Sequence, residues 1–137
     1  MIPRIKFQNK EQVPFVKELR KRVNGYFKEN KISRNANRHM IVKSISMFLI
    51  YLIPYVLVYT GILSGFWAFA LAITMGLGMA GIGMSVMHDA NHGAYSSNPK
   101  VNNLIGICIH LIGGDVYNWK VQHNILHHTY TNITGLD

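Results

Sequence analysis

Two short segments of the sequence concentrate histidine at spacings that suit metal binding. On an α-helix, residues four positions apart lie on one face, so a pair of histidines at that spacing can direct two imidazoles toward one ion. The segments MHDANHG and VQHNILHHTYTN both contain such a pair. Together they hold five of the seven histidines of the chain: His88, His92, His123, His127 and His128. The sequence therefore predicts a metal site to which both segments contribute.

Three histidines limit how many imidazoles one ion can receive: His128, His39 and His110. On an α-helix, His128 would point about 100° away from His127, so we expect the second segment to reach toward two ions rather than to direct three rings at one. His39 lies in a basic linker and His110 lies inside a short apolar run. We expect both of these to be structural or solvated.

The available donor groups narrow the choice of metal. Cys108 is the only cysteine and carboxylates are few, so the imidazoles suit iron, copper, zinc or nickel and argue against magnesium or calcium. A zinc protease needs Glu directly after the first histidine, whereas Asp89 and Asn124 stand there, so no hydrolytic base is evident. Five polar residues are expected to hydrogen-bond the rings, although helix capping explains some of them equally well: Asp89, Asn91, Asn124, Thr129 and Asn132.

Two long apolar stretches lead into the first histidine segment. Residues 41–63 carry one charge, Lys43, and residues 66–87 carry none. Each is long enough to cross a hydrocarbon core, which needs roughly 20 residues. The sequence predicts an all-α, multi-pass membrane protein with a transmembrane hairpin followed by histidine-bearing helices. Buried helices of a soluble bundle fit less well, because adjacent uncharged stretches of this length are uncommon there.

Shorter features of the apolar region predict how its helices pack. Small residues at which another helix could approach closely are frequent in the second stretch: Ala72, Gly76 and Ala80 recur every four residues, and Gly78, Gly81 and Gly83 add further positions. A third apolar run, residues 101–112, is closed by two glycines and is too short to span easily. We expect it to form an interfacial or re-entrant helix.

Positive charge is concentrated ahead of the first apolar stretch. The chain has a formal net charge of +8, and residues 1–40 contain eleven Lys or Arg against three Glu, while the rest is balanced. The positive-inside rule then places the N-terminus in the cytoplasm. Two crossings return the chain to that side at His88, so both histidine segments are expected to face the cytoplasm.

The basic segment also contains an amphipathic pattern. Between Pro14 and Lys28, apolar residues recur at helical spacing among basic ones. This pattern predicts a helix on the lipid headgroups, with a plainly solvated helix as the alternative. DNA binding is disfavoured because the basic residues adjoin a membrane span. We therefore divide the chain into a basic cytoplasmic segment, 1–40, and a membrane domain, 41–137.

The residues around the histidines are similar to motifs of a known protein family. HDANHGAYS and W-x3-HN-x2-HHTYTN-x2-G-x-D, behind a predicted transmembrane hairpin, resemble the first two histidine boxes of membrane fatty acid desaturases. The resemblance is strongest to the branch with linoleoyl-CoA and front-end acyl-lipid desaturases. It implies a di-iron centre that activates O2 and removes two hydrogens from an acyl chain, releasing water. It also implies that five histidines ligate the two irons: His88, His92, His123, His127 and His128.

The resemblance further implies a substrate and partners. Asn118 and Trp119 match positions that lie close to the acyl chain in acyl-CoA desaturases, although Trp119 as an interface anchor is the alternative. An acyl methylene has neither an acidic proton nor a leaving group, so its oxidation requires a metal oxidant. We expect an acyl-CoA or acyl-lipid substrate, a membrane, and a separate electron-donor protein such as a ferredoxin or a small haem cytochrome. We expect no nucleic acid.

Two departures from the family pattern bear on activity. A third histidine box and the His-Pro-Gly-Gly motif of a fused haem domain are both absent from the sequence. We expect an N-terminal part of a longer desaturase, inactive by itself. A membrane hydroxylase or alkane oxygenase with similar boxes is one alternative. A non-catalytic haem-binding anchor is another, although the adjacent His127 and His128 argue against it.

Overall fold

The computed structural model describes residues 10–136, and this part of the chain is helical without β-strands. Seven α-helices are separated by turns, by two π-helical segments and by one 3-10 segment. The α-helices are α1 (Gln12–Glu29), α2 (Arg38–Tyr59), α3 (Phe66–Gly81), α4 (Met87–Asn91), α5 (Pro99–Gly106), α6 (Val116–Trp119) and α7 (His128–Tyr130). The π-helical segments are π1 (Ile82–Val86) and π2 (Lys120–His127), and the 3-10 segment is Ile107–Ile112. The all-α expectation is confirmed.

Helices α2 and α3 form an antiparallel hairpin. The side chain of Asn37 caps α2 by accepting a hydrogen bond from the Met40 N–H at 2.9 Å. The hairpin turn uses Gly61 and Gly65 at φ +67° and +59°, a conformation that side chains with a Cβ rarely adopt. Relative to the predicted stretch 41–63, α2 begins at Arg38 and ends at Tyr59.

The described residues contain two helices that are long and apolar enough to cross a membrane. One is α2, with 22 residues, and the other is the continuous helix Phe66–Asn91, with 26 residues, formed by α3, π1 and α4. Only 17% of the residues in each apolar window are buried within the chain. By length and composition, both helices are candidate membrane spans.

Helices α2 and α3 approach each other closely at two glycines of α3. A Cβ on Gly78 would lie 2.6 Å from the backbone nitrogen of Tyr51, and a Cβ on Gly81 would overlap the sulfur of Met47. A Cβ on Gly76 would meet nothing within 4 Å, and Ala72 and Ala80 are exposed. Of the small residues named from the sequence, Gly78 and Gly81 are therefore the ones at which α2 approaches closely.

The buried core lies where π1 and α4 meet the third apolar run. Ile82, Val86 and Met87 are fully buried and pack with Cys108 and Ile109. The predicted helix over residues 101–112 begins earlier, at Pro99, and tightens to 3-10 geometry after Gly106. It ends at Gly113, whose φ is +84°.

Two tyrosine hydroxyls attach this region to α2. The Tyr51 hydroxyl donates to the carbonyl oxygen of Leu111 at 2.6 Å, and the Tyr95 hydroxyl donates to the Ser44 hydroxyl oxygen at 2.9 Å. Each bond joins residues at least 51 positions apart in the sequence. The helices that carry the histidines are thus held against the end of the hairpin where α2 begins.

Candidate metal centre

Both histidine segments adjoin π-helical turns. π1 leads directly into α4, which carries His88, and π2 itself carries His123 and His127. In a π-helix the hydrogen bonds join residues five apart, so the turn is wider than in an α-helix. Such turns are rare and occur frequently at functional sites.

The π-helical turn brings the ring of His128 close to the rings of His123 and His92. The His128 ring centroid lies 4.9 Å from that of His123 and 5.0 Å from that of His92. His128 follows His123 by five residues, and the wider turn brings these two positions close to the same face. The rings of His127 and His128 are 5.6 Å apart with planes at 73°, and the expectation that they reach toward two ions stays a prediction.

All five histidines of the two segments come together in one cluster. The His88 ring centroid is 4.5 Å from that of His92 and 4.9 Å from that of His123. His127 joins through a stacked contact with His123 at 5.2 Å. We call this group of five the imidazole cluster: His88, His92, His123, His127 and His128. Segments 35 residues apart in sequence therefore build one site.

The ring nitrogens have the separation that a shared ion requires. His88 Nε2 and His123 Nε2 are 3.1 Å apart, and one ligand nitrogen from each of His88, His92 and His123 lies within 4.8 Å of the others. Imidazole nitrogens at about 2.0–2.1 Å from a metal, with angles of about 90–109° between them, are roughly 2.8–3.4 Å apart. The residues therefore fit a metal ion between His88 and His123, with His92 adjacent.

The surroundings of His92 and His123 lower the pKa of both imidazoles. Desolvation lowers the pKa of His92, and the neighbouring His88 and His128 lower it further, whereas Asp89 opposes them. Desolvation likewise lowers the pKa of His123, and the surrounding histidines add to that effect. A low pKa favours the neutral imidazole, which is the form that binds metals.

Asp89 contacts the ring of His88 on the side away from the cluster. Its Oδ1 lies 3.3 Å from His88 Nδ1, while His88 Nε2 faces His123. In the tautomer with its proton on Nδ1, His88 donates to the carboxylate and keeps the Nε2 lone pair for a metal. This is the arrangement expected of a ligand histidine.

Asn91 and Asn124 connect helices. The buried Asn91 side chain donates to the carbonyl of Gly106 at 3.2 Å, and the Asn124 side chain donates to the carbonyl of Asn91 at 3.2 Å. These bonds join α4 to α5 and π2 to α4. The Asn124 Oδ1 atom is buried and has no hydrogen-bond partner within residues 10–136. The two amides thus fix the relative position of the histidine segments through the backbone.

An open cavity of about 400 Å³ adjoins the cluster. Its wall consists of Trp119, Gln122, His123, Leu126, His127 and Leu136. Trp119 also stacks on His123, with centroids 4.5 Å apart and planes at 22°, and it meets His88 and His92 edge to face. Leu126 and Leu136 were not singled out in the sequence, because isolated leucines carry no signal of a cavity.

The other candidate residues lie outside the cluster. Asn118 is exposed and is absent from the cavity wall, and its backbone N–H donates to the Asp115 carboxylate that caps α6, at 2.8 Å. His39 lies in the first turn of α2. His110 Nδ1 lies 2.9 Å from the carbonyl oxygen of Gly114. Of the two residues expected near a substrate, the structure places only Trp119 beside the histidines.

Fold and site together define a helical protein with two apolar spans and an imidazole cluster at the end of the second. The sequence model of one family, fatty acid desaturase, matches residues 64–137, which include both histidine segments. The chain belongs to the fatty acid desaturase family. The resemblance seen in the histidine boxes is thereby confirmed.

Individual relatives match over most of the chain. It is 40% identical over 131 residues to the sn-1 linoleoyl-lipid 6-desaturase of Arthrospira platensis, covering 93% of this chain and 34% of that protein. It is 34% identical over 146 residues to the enzyme of the same name from Synechocystis sp., covering 98% and 37%. It is 32% identical over 133 residues to the acyl-lipid (8-3)-desaturase of Physcomitrium patens, covering 97% and 28%. The chain spans about a third of the length of these curated relatives. No solved structure matches it.

Proposed function

We propose that this chain forms part of an O2-dependent acyl desaturase that introduces a double bond into the acyl chain of a lipid or an acyl-CoA. The observation that carries the proposal is the meeting of two distant histidine boxes in one cluster, with His88 Nε2 and His123 Nε2 3.1 Å apart. Family membership supports the reaction class. The names of the relatives, which are acyl-lipid desaturases, favour a lipid-linked substrate.

The five histidines would hold two iron ions. His88, His92 and His123 have the closest ligand atoms, and His127 and His128 border them. When bound, the irons supply the oxidising power that an unactivated C–H bond requires: the acyl chain loses two hydrogens, and O2 with two electrons and two protons becomes two waters. Asp89 would orient His88 by accepting a hydrogen bond from its Nδ1–H.

The cavity beside the cluster is the proposed position of the acyl chain. Leu126 and Leu136 offer apolar walls, and Trp119 closes the side next to His123. An apolar tail in this cavity would exclude water and place its methylenes next to His123 and His127. The role first expected of Asn118 as a substrate contact stays a prediction, because in the structure it lies outside the cavity wall.

We further propose that the protein is multi-pass, with its N-terminus and its imidazole cluster in the cytoplasm. Eight basic residues against two acidic ones in residues 12–40 support this orientation by the positive-inside rule. Electrons would then arrive from a separate cytoplasmic donor protein. Single cysteines at Ser64 and Ser97, in a Cys108→Ala background, test the topology in intact cells. Labelling of Ser97→Cys from outside by an impermeant reagent would overturn it.

The geometry disfavours a haem anchor. A haem held by two histidines would need their nitrogens on opposite faces of its ring, with space for the ring between them. His88 Nε2 and His123 Nε2 are 3.1 Å apart and have no room for that ring. A hydroxylase would use similar boxes and differs in its product, an alcohol in place of an alkene.

A chimaera tests the proposed reaction. This chain would replace the matching third of the Arthrospira 6-desaturase, to which it is 40% identical. Fatty-acid profiling of cells that express the chimaera is expected to show a new alkene, which His88→Ala abolishes and His39→Ala preserves. Immunoblotting of the membrane fraction controls for expression. An alcohol as the product, or an alkene formed by the His88→Ala variant, would contradict the proposal.

A further inference from the structure

Helix α1 has an apolar face that the rest of the described chain does not cover. At about 100° per residue, its apolar side chains from Phe15 to Phe27 fall within about 120° of the circumference, and Val13 lies about 40° beyond one edge. None of its residues is buried. The exposed fractions are 68% for Phe15, 48% for Leu19, 44% for Val23 and 58% for Tyr26. A face of this kind on an isolated helix requires an apolar medium or partner.

The charges of α1 are arranged around this face. Lys17, Lys21 and Lys28 project from the opposite side, at about 140–180° from the centre of the apolar arc. Arg20 and Arg22 border the arc on its two edges, where long side chains can reach phosphates while their stems stay on apolar surface. Arg22 Nε also lies 2.9 Å from Glu18 Oε1.

The linker after α1 holds the helix near the start of α2. Only residues 30–37 separate the two helices, and fully extended they reach roughly 28 Å. Arg34 holds the linker against α1, because its guanidinium donates to Asn24 Oδ1 at 2.5 Å and lies 5.6 Å from the centre of the Phe27 ring. The linker therefore spans less than its extended length. The helix therefore stays within reach of the membrane surface at which α2 begins.

The same linker is bound to the loop that follows the first histidine box. The Asn35 side chain donates to the carbonyl of Ala94 at 3.0 Å, and the Ala36 N–H donates to the carbonyl of Tyr95 at 2.9 Å. These bonds place the linker on the side of the hairpin that carries the imidazole cluster. α1 is thereby directed to the leaflet on that side.

We propose that α1 lies in the plane of the membrane interface on this side, with its apolar face among the acyl chains and its arginines on anionic phospholipid headgroups. An acidic protein or a nucleic acid would engage the basic side and leave the apolar face uncovered. An anionic bilayer takes up the apolar face among its acyl chains and binds the basic residues through its headgroups. It lies next to α1 because α2 enters it. This inference is independent of the reaction proposed for the imidazole cluster.

Spin labels on opposite sides of α1 test the proposal. The full chain, with Cys108→Ala, is placed in lipid nanodiscs with a label at Leu19→Cys or at Lys21→Cys, positions about 200° apart on the helix. In phosphatidylcholine mixed with phosphatidylglycerol, the Leu19 label is expected to be accessible to O2 and shielded from a water-soluble nickel chelate. The Lys21 label is expected to show the reverse. Neither substitution alters a buried residue, so both variants should fold.

Each other outcome identifies a different partner and overturns the proposal. Chelate access at both labels means a solvated helix. Shielding of the Leu19 label from both reagents means packing against protein, and dipolar broadening between copies identifies that protein as a second chain. The same shielding in pure phosphatidylcholine as in the anionic mixture overturns the headgroup assignment.

Charge variants provide a second readout. Arg20→Gln and Arg22→Gln are each expected to lower the ratio of shielded to exposed Leu19 label in anionic discs on the order of fivefold, because each removes one basic contact with the surface. Both should leave that ratio unchanged in phosphatidylcholine discs. An equal effect in both lipids would show that the arginines act on folding of the helix, and would overturn their role at the headgroups.

Discussion

At the scale of single residues, the pair His88 and His123 is central because their Nε2 atoms are separated as cis ligands of one ion would be. We expect His88→Ala in the full chain to weaken binding of Co²⁺, a spectroscopic substitute for iron, by at least about tenfold, which is the lower end of the cost of losing an outer-shell contact. Titration in nanodiscs, followed by visible absorption, measures the affinity.

His39→Ala provides the matched control for this measurement. His39 lies in the first turn of α2 and contributes no ring to the cluster, so its removal should leave Co²⁺ affinity unchanged. Equal affinities for wild type and His88→Ala would exclude His88 as a ligand. A loss of affinity in His39→Ala would show that histidines outside the cluster bind the probe.

Asn124 gives a prediction about positioning. Its side chain donates to the carbonyl of Asn91, which joins π2 to α4, so Asn124→Ala removes a link between the two histidine segments. We expect Co²⁺ affinity to fall by about 10–100-fold, as for other groups that hold ligands in place. Ile125→Ala is the control, because its side chain on the same segment is 56% exposed. If Ile125→Ala weakened binding as much as Asn124→Ala, the link would have no specific role.

At the scale of helices, the contact between α2 and α3 depends on Gly78. A Cβ there would lie 2.6 Å from the Tyr51 backbone nitrogen, and backbone atoms in a helix cannot easily move away. Gly78→Ala should therefore lower the free energy of unfolding by about 1–3 kcal/mol, the usual cost of overpacking. Unfolding in mixed micelles of increasing denaturing-detergent content measures the change.

Gly76→Ala is the control for Gly78→Ala on the same helix. A Cβ at Gly76 meets nothing within 4 Å, so this variant should leave the free energy of unfolding unchanged or raise it by up to about 1 kcal/mol. Destabilisation by Gly76→Ala comparable with that of Gly78→Ala would mean that α3 presents a different face to α2 than the structure shows.

These glycines also show how far the sequence could predict helix packing. The stretch 66–87 was identified as apolar and helical from composition alone, and α3 begins at Phe66 as expected. The sequence named small residues without deciding among them: α2 packs at Gly78 and Gly81, whereas a Cβ on Gly76 would meet nothing within 4 Å. Small residues occur on several sides of α3, and the rotation of a helix is decided by the side chains of its partner, which a pattern within one helix does not contain.

The π-helical turns could not be predicted from the sequence either. The spacing of His123 and His127 fits an α-helix, and the structure brings these two rings together with His88, His92 and His128, while their role as metal ligands stays a prediction. An extra residue in a turn breaks regular hydrogen bonds and persists only where tertiary contacts compensate. Here those contacts come from the other segment: His92 meets the ring of His128, and Asn91 accepts from Asn124.

At the scale of the whole molecule, composition predicts a basic segment followed by two apolar helices, and the described residues follow that order. Composition could not show that the linker Asn35–Ala36 binds the loop after the first histidine box. That connection depends on backbone groups, which every residue carries. The amphipathic helix predicted between Pro14 and Lys28 corresponds to α1, and its placement on lipid stays a prediction.

The coordination demand of two irons leads to a prediction for the chain as a whole, which depends on the proposed function. Two ions with five or six positions each need on the order of ten ligands, some of them shared or supplied by solvent. The cluster offers five imidazoles, about half of that number. Metal bound by this chain alone should therefore be weak and exchangeable, since too few protein ligands fix its geometry.

We accordingly expect residues 1–137 alone to lose bound iron to a chelator within minutes and to form no alkene when supplied with O2 and an electron donor. The chimaera with the remaining two thirds of the Arthrospira 6-desaturase should retain about two irons per chain through the same treatment and desaturate its substrate. Elemental analysis after chelation and gas chromatography of the acyl chains measure the two properties. Alkene formation by the 137 residues alone would show that the imidazole cluster needs no ligands from elsewhere, and that this account of the site is wrong.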